Sequence, residues 1–257
     1  QTLTIEEGVH IHLHRNAFIA VKGTIVARGS REDPVVFQGD RLEYDYRDLP
    51  GQWDRIWINE GSENNEFKHA VIKNGFIGLQ AEITNEDMGN TLVLNNTIVQ
   101  NMSRWGLFTI AYRVSAYNSL IANCAENTVF ITTGGVYDFR HCTFANYWTS
   151  SVRIDPSFTL SNNLIIPQPD GSSVTLLGNL DAYFGNCIMY GNLEEEIVFS
   201  NDESVDFNYF FDHCLFRTEM EITDAEFYAG CLKNQDPKFI APNDQNYRLD
   251  TLSPASD

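Results

Sequence analysis

Long apolar runs are missing from this chain: nowhere do eighteen apolar residues follow one another, so no segment reads as a membrane-spanning helix. Helical periodicity is missing too, since no apolar pattern persists at i, i+3, i+4, i+7 over a dozen residues. Cysteine is sparse and scattered. The five are Cys124, Cys142, Cys187, Cys214 and Cys231, an odd number without a CxxC pair, which excludes a disulfide framework or a zinc site on spacing grounds. Positive charge is scarce. Seventeen Lys and Arg face thirty-five Asp and Glu, a formal charge of −18, which argues against a nucleic-acid partner, whose phosphates need cations. No charged-then-apolar leader opens the chain.

A repeat is present instead. The apolar pairs Ile56/Ile58, Ile77/Leu79, Leu107/Thr109, Val129/Ile131, Val152/Ile154, Val174/Leu176 and Ile197/Phe199 are spaced by 21, 30, 22, 23, 22 and 23 residues. Members two apart share one face of a strand. A second series places Ala70, Asn96, Asn118, Cys142, Asn163, Cys187 and Cys214 each two residues before a large apolar residue. Asparagines follow at Asn74, Asn101, Asn123, Asn146 and Asn192. Asparagine tolerates left-handed backbone and can bond to copies of itself above and below, which suits the repeated bend of a stacked coil. A period near 22 residues in a chain without hairpin signals predicts an all-β, single-stranded right-handed parallel β-helix of roughly nine or ten coils. The expected organisation is one solenoid domain over residues 1–257, with loops inserted near 38–52 and 81–90.

The ends carry a family likeness. Leu3-Thr-Ile-Glu-Glu-Gly-Val, Val21-Lys-Gly-Thr-Ile-Val-Ala-Arg-Gly and Asp33-Pro-Val-Val-Phe resemble the first coils of bacterial extracytoplasmic β-helix proteins of the pectin-lyase-like superfamily. Asp236-Pro-Lys-Phe, Asn246-Tyr-Arg-Leu and Ser253-Pro-Ala-Ser-Asp resemble their closing coil. The resemblance implies an extracytoplasmic location, with any signal or anchor outside this chain, and the same fold. It does not fix a function, because the superfamily includes lyases, hydrolases, epimerases and adhesins.

Residues between the inward pairs point outward. Read this way, Trp57, Gly78, Phe108, Phe130 and Arg153 form one column, and Gln80, Thr132 and Asp155 lie two residues further along their strands. Aromatic faces for sugar rings and an Arg153–Asp155 pair for hydroxyls make Trp57, Gln80, Phe108, Phe130, Thr132, Arg153 and Asp155 the expected ligand residues, with a polysaccharide or oligosaccharide as partner. Enzyme signatures are thin. A hydrolase of the superfamily needs clustered aspartates on this face, and only Asp155 is available. A lyase needs a base and usually a calcium cluster, for which Arg153 and Asp155 are a poor set, so calcium enters only under the lyase alternative. His10, His12 and His14 alternate on one strand, about 7 Å apart, too far to share one ion without bending. No catalytic residue, metal or cofactor is assigned. The expectation is non-catalytic glycan binding or display, the first alternative a polysaccharide lyase, the second a structural spacer or adhesin stalk.

Overall fold

The computed structural model describes residues 1–83 and 91–256. Strands stack into a parallel β-helix with three faces, because each coil repeats the same short strands in register with the coil before it. Face 1 runs from Ile19–Val21 through Ile56–Ile58, Leu79–Glu82, the first halves of Leu107–Tyr117 and Val129–Arg140, then Phe158–Ser161 and Ile197–Ser200. Face 2 holds Thr2–Ile5, Thr24–Arg28, Asn65–Lys68, Leu92–Asn95, the second halves of the two long strands, Leu180–Gly185, Phe207–Asp212 and Tyr228–Ala229. Face 3 is the most regular, nine parallel strands from His10–Leu13 to Leu232–Lys233.

Corners follow from backbone chemistry. Between faces 2 and 3, one residue in each of seven successive coils adopts positive φ: His69, Asn96, Asn118, His141, Asn186, His213 and finally Gly230. Between faces 3 and 1 the same is true of Asn74, Asn101 and Asn123, with φ of 65°, 63° and 54°. There the amides form the expected ladder, Asn101 Nδ2 donating to Asn74 Oδ1 at 2.6 Å and Asn123 Nδ2 to Asn101 Oδ1 at 3.1 Å. Asn146 differs: its amide turns inward to Glu126 O and to the Cys124 N–H.

Inside, stacked positions carry like side chains. Phe139, Phe184, Phe211 and Tyr228 lie ring on ring, at 5.4, 4.6 and 5.7 Å between centroids. Beside them runs a column of small donors: Thr97, Ser119, Cys142, Cys187, Cys214 and Cys231. The four thiols donate to the carbonyls of Ala116, Phe139, Phe184 and Phe211, each at 3.4 Å. The Thr97 hydroxyl makes the equivalent bond to Phe67 O at 2.8 Å. Asparagine does not occupy this column, contrary to the expected second series. Asn96 and Asn118 sit one residue earlier, in the left-handed corner, where Cβ crowding favours asparagine and histidine over cysteine.

Three coils depart from the expected phase. Ile56 pairs with Leu79 and Leu79 with Leu107, so Ile77 is not the rung and Gln80, not Gly78, faces outward between Trp57 and Phe108. The missing Gly78 Cβ would lie 2.4 Å from a Val99 methyl, inside the core. Val152/Ile154 and Val174/Leu176 are not ladder pairs either. Val129 pairs with Phe158 and Phe158 with Ile197, steps of 29 and 39 residues. Their sum, 68, divides as well into three regular steps, which is how two long coils imitate three short ones in the sequence. The extra length forms a loop over residues 147–157 and an antiparallel hairpin, Asn163–Pro167 with Ser173–Leu177. Val152 and Ile154 accordingly stand 90% and 82% exposed.

The C-terminal segment folds back along face 3. Phe239 and Tyr247 pack with Ala122, Ala145, Ile188, Tyr190 and Leu215 in a second apolar cluster outside the solenoid. The inserted loop around 38–52 hydrogen-bonds to the asparagine corner, Arg47 O and Asp48 O accepting from Asn74 and Asn101. The other expected loop, 81–90, lies outside the described residues from Thr84 onward.

Candidate functional site

On face 1, register sets Trp57, Gln80, Phe108 and Phe130 on four successive coils of one outward column. Thr159 and Val198 continue it where Arg153 was expected. Two aromatics from neighbouring turns join. Phe18 is 51% exposed and lies 6.2 Å from the Trp57 ring. Trp105 covers the upper end, its ring 4.4 Å from Phe108 and 5.2 Å from Phe130. That cover leaves Phe108 only 7% exposed, whereas Trp57, Trp105 and Phe130 stay half-buried. The open aromatic surface is therefore Phe18, Trp57, Trp105 and Phe130, with Phe108 as its support.

Arginines edge this surface at the corner between faces 3 and 1. The Arg104 guanidinium stands 3.8 Å over the Trp105 ring and 5.8 Å from Phe76. From the next coil, Arg55 approaches Phe76 at 5.7 Å. Each arginine is held by a carboxylate, Arg55 by Asp54 at 2.9 Å and Arg104 by Glu126 at 3.1 Å. Gln80 links the pattern, accepting from Arg55 Nη1 through its oxygen and donating through its nitrogen to Glu82. Because both ends of this amide are engaged and it is 6% exposed, Gln80 orients Arg55 rather than offering a free group. The indole N–H groups of Trp57 and Trp105 meet no acceptor among the described residues. Both nitrogens are themselves buried, so each unsatisfied donor is a cost of about 1–3 kcal/mol to the fold and not a group open to a ligand.

The remaining expected residues are elsewhere. Thr132 is 1% exposed and spends its hydroxyl on Thr109 O at 2.8 Å. Arg153 is buried in the loop that replaces a regular rung, its side chain 1% exposed. Its partner is Glu196, not the Asp155 carboxylate: Nη1 to Oε2 is 2.8 Å and Nη2 to Oε1 is 2.5 Å. Asp155 contributes only its backbone carbonyl, at 2.7 Å from Nη1. A guanidinium so enclosed reaches no substrate, which removes Arg153 as an exposed base.

Sequence reasoning missed Arg55, Arg104 and Trp105 because they sit in turns, outside the period-2 pattern that located the strands. A signal existed. Arg55 and Arg104 each lie beside an aromatic rung, one residue before Ile56 and three before Leu107. Among the described residues, no group of three or more His, Cys, Asp and Glu converges to hold a metal ion. His10 and His12 lie ring to ring at 6.3 Å, while His14 turns to Asp40 at 2.6 Å. No described helix is long and apolar enough to cross a membrane. Comparison with known proteins returns no matching family model, no matching curated protein and no matching solved structure.

Proposed function

We propose that face 1 binds a polysaccharide or oligosaccharide without acting on it, and that the protein does so outside the cytoplasm, as a relative of the pectin-lyase-like β-helix proteins. The carrying observation is the juxtaposition of half-open rings with fixed ion pairs. Phe18, Trp57, Trp105 and Phe130 offer faces along one axis, while Arg55–Asp54 and Arg104–Glu126 offer donors and acceptors beside them. Sugars present the matching combination, apolar C–H faces ringed by hydroxyls. Coil spacing of about 4.8 Å places these rings at intervals that an extended chain of sugar units can follow.

The test is a glycan array followed by calorimetry on the best ligand, for wild type, Trp57→Ala and Trp105→Ala, with and without calcium. Loss of a central aromatic anchor typically costs at least about 2 kcal/mol, or roughly 30-fold in affinity. Wild-type protein that binds no glycan, or variants that bind as well as wild type, would overturn the reading. Export is checked by fractionating producing cells; protein retained in the cytoplasm in full would remove that part.

A further inference from the structure

A second site lies on the opposite side of the solenoid, at the corner between faces 2 and 3. A cavity of about 530 Å³ opens there between three coils and the returning C-terminal segment. His141, Asn186 and His213 occupy consecutive rungs of the left-handed corner and form its polar edge. Ile188, Leu215 and Leu232 form the floor, with Leu249 and Pro254 opposite. Among the described residues, no Lys, Arg, Asp or Glu lines it.

His213 is built in with unusual care for an exposed residue. Its Nδ1 lies 2.6 Å from Asp212 Oδ1, and the other oxygen of Asp212 accepts from the Tyr183 hydroxyl at 2.9 Å. This pair of donors, the imidazole first, lowers the Asp212 carboxyl below its usual range, so the carboxylate is ionised and can only accept. Nδ1 is therefore the donor in this pair, and Nε2 makes no hydrogen bond among the described residues. The ring packs against Gly230 of the next coil; a Cβ there would sit 2.7 Å from Cδ2 and Nε2. Arg140, fixed by Asp138 at 2.7 Å, stacks on the Tyr183 ring at 4.8 Å and completes the support. Neither His141 nor Asn186 uses its side chain in a hydrogen bond among the described residues, which leaves the Asn186 amide available beside His213.

We propose that this cavity hydrolyses a neutral carboxylic ester, with His213 as general base, Asp212 as its positioning residue and Asn186 as donor to the carbonyl oxygen. Nε2 takes one proton from water as the water oxygen bonds to the carbonyl carbon. The C=O π pair moves onto oxygen, which meets the Asn186 N–H. Collapse restores C=O and breaks the bond to the alcohol oxygen, which receives the proton from the imidazolium. The products are acid and alcohol, and water is the single co-reactant. An apolar floor without fixed charge suits a neutral acyl group, which selects an ester over an anionic substrate.

The experiment follows hydrolysis of 4-nitrophenyl acetate and 4-nitrophenyl butyrate by wild type, His213→Gln, Asn186→Gly and His14→Gln. His14 is the internal control: it pairs with Asp40 at the same 2.6 Å, but on an open surface, its side chain 82% exposed. Expected is a fall of about 100-fold in kcat for His213→Gln, the lower end for loss of a general base, with His14→Gln unchanged. Asn186→Gly keeps the left-handed corner and should lower kcat with little change in KM. Asp212→Asn should lower kcat, and Asp212→Glu should recover part of it, which a purely structural role for Asp212 would not produce. Wild-type rates no higher than those of His213→Gln, or equal losses in His213→Gln and His14→Gln, would overturn the proposal. Circular dichroism establishes that each variant is folded; should His213→Gln fail to fold, Asn186→Gly against His14→Gln decides.

Discussion

Replacing Glu196 by alanine should be strongly destabilising. Its carboxylate is 0% exposed and accepts four hydrogen bonds: two from Arg153, at 2.8 and 2.5 Å, and one each from the Ser157 and Leu193 N–H groups at 2.8 Å. Gly191 is shaped around it, since a Cβ there would come within 2.1 Å of Oε1. Removing the carboxylate strands a buried guanidinium, and breaking a buried pair from one side costs about 3–5 kcal/mol. With an unfolding entropy of about 2.1 cal/mol/K per residue over 257 residues, this corresponds to a fall in Tm of roughly 6–9 °C. Arg153→Met should cost a similar amount. The double change Arg153→Met/Glu196→Leu should cost less than either single change, because apolar replacements leave no charge unpaired. Urea unfolding of the four proteins measures the energies, and hydrogen exchange at the Ser157 and Leu193 amides localises the loss to the coil they close. Single variants that lose under about 1 kcal/mol, or a double variant that loses the sum of both, would refute the reasoning.

Three further outcomes follow from the same structure. Asn101→Ala should destabilise by about 2–4 kcal/mol, since it removes bonds to Asn74 and Asp48, each 2.6 Å, and puts alanine at φ 63°; Asn101→Gly should recover the backbone part in urea melts. In the native protein a thiol reagent should label Cys231 alone, slowly because its thiol is raised by its bond to Cys214 and by burial, and all five cysteines only after denaturation. Both ends of the pH range should weaken the fold. Asp40 and Asp212 are lowered by bonds to His14 and His213, so their contribution is complete above the ordinary carboxylate range and is lost as pH falls through their lower folded values, below roughly pH 4; Asp212→Asn should flatten that slope. Cys124 is pushed up to about 12 by burial, so the unfolded state ionises first and stability should decline as pH rises from roughly 9 toward that value, a decline that Cys124→Ala reduces.

The architecture was legible in the order of residues alone. A coil of fixed length must repeat its inward pairs and its corner residues at one period, and apolar pairs such as Ile56/Ile58 and Val129/Ile131, with Asn74, Asn101 and Asn123, carry that period openly. The same order also determined the outward column at Trp57, Phe108 and Phe130, because alternation along a strand fixes which side each residue takes. The phase where insertions intervene became visible with the folded coils. Spacing counts residues, and it cannot tell a regular coil from a loop and hairpin of equal length, so Arg153 read as an exterior cation when it is the buried partner of Glu196. Nor can spacing report what covers a strand. Trp105 closing over Phe108 depends on a turn outside the strand pattern, and the C-terminal segment returning beside His213 and Asn186 depends on contacts between residues far apart in the chain, which form once the coils have stacked.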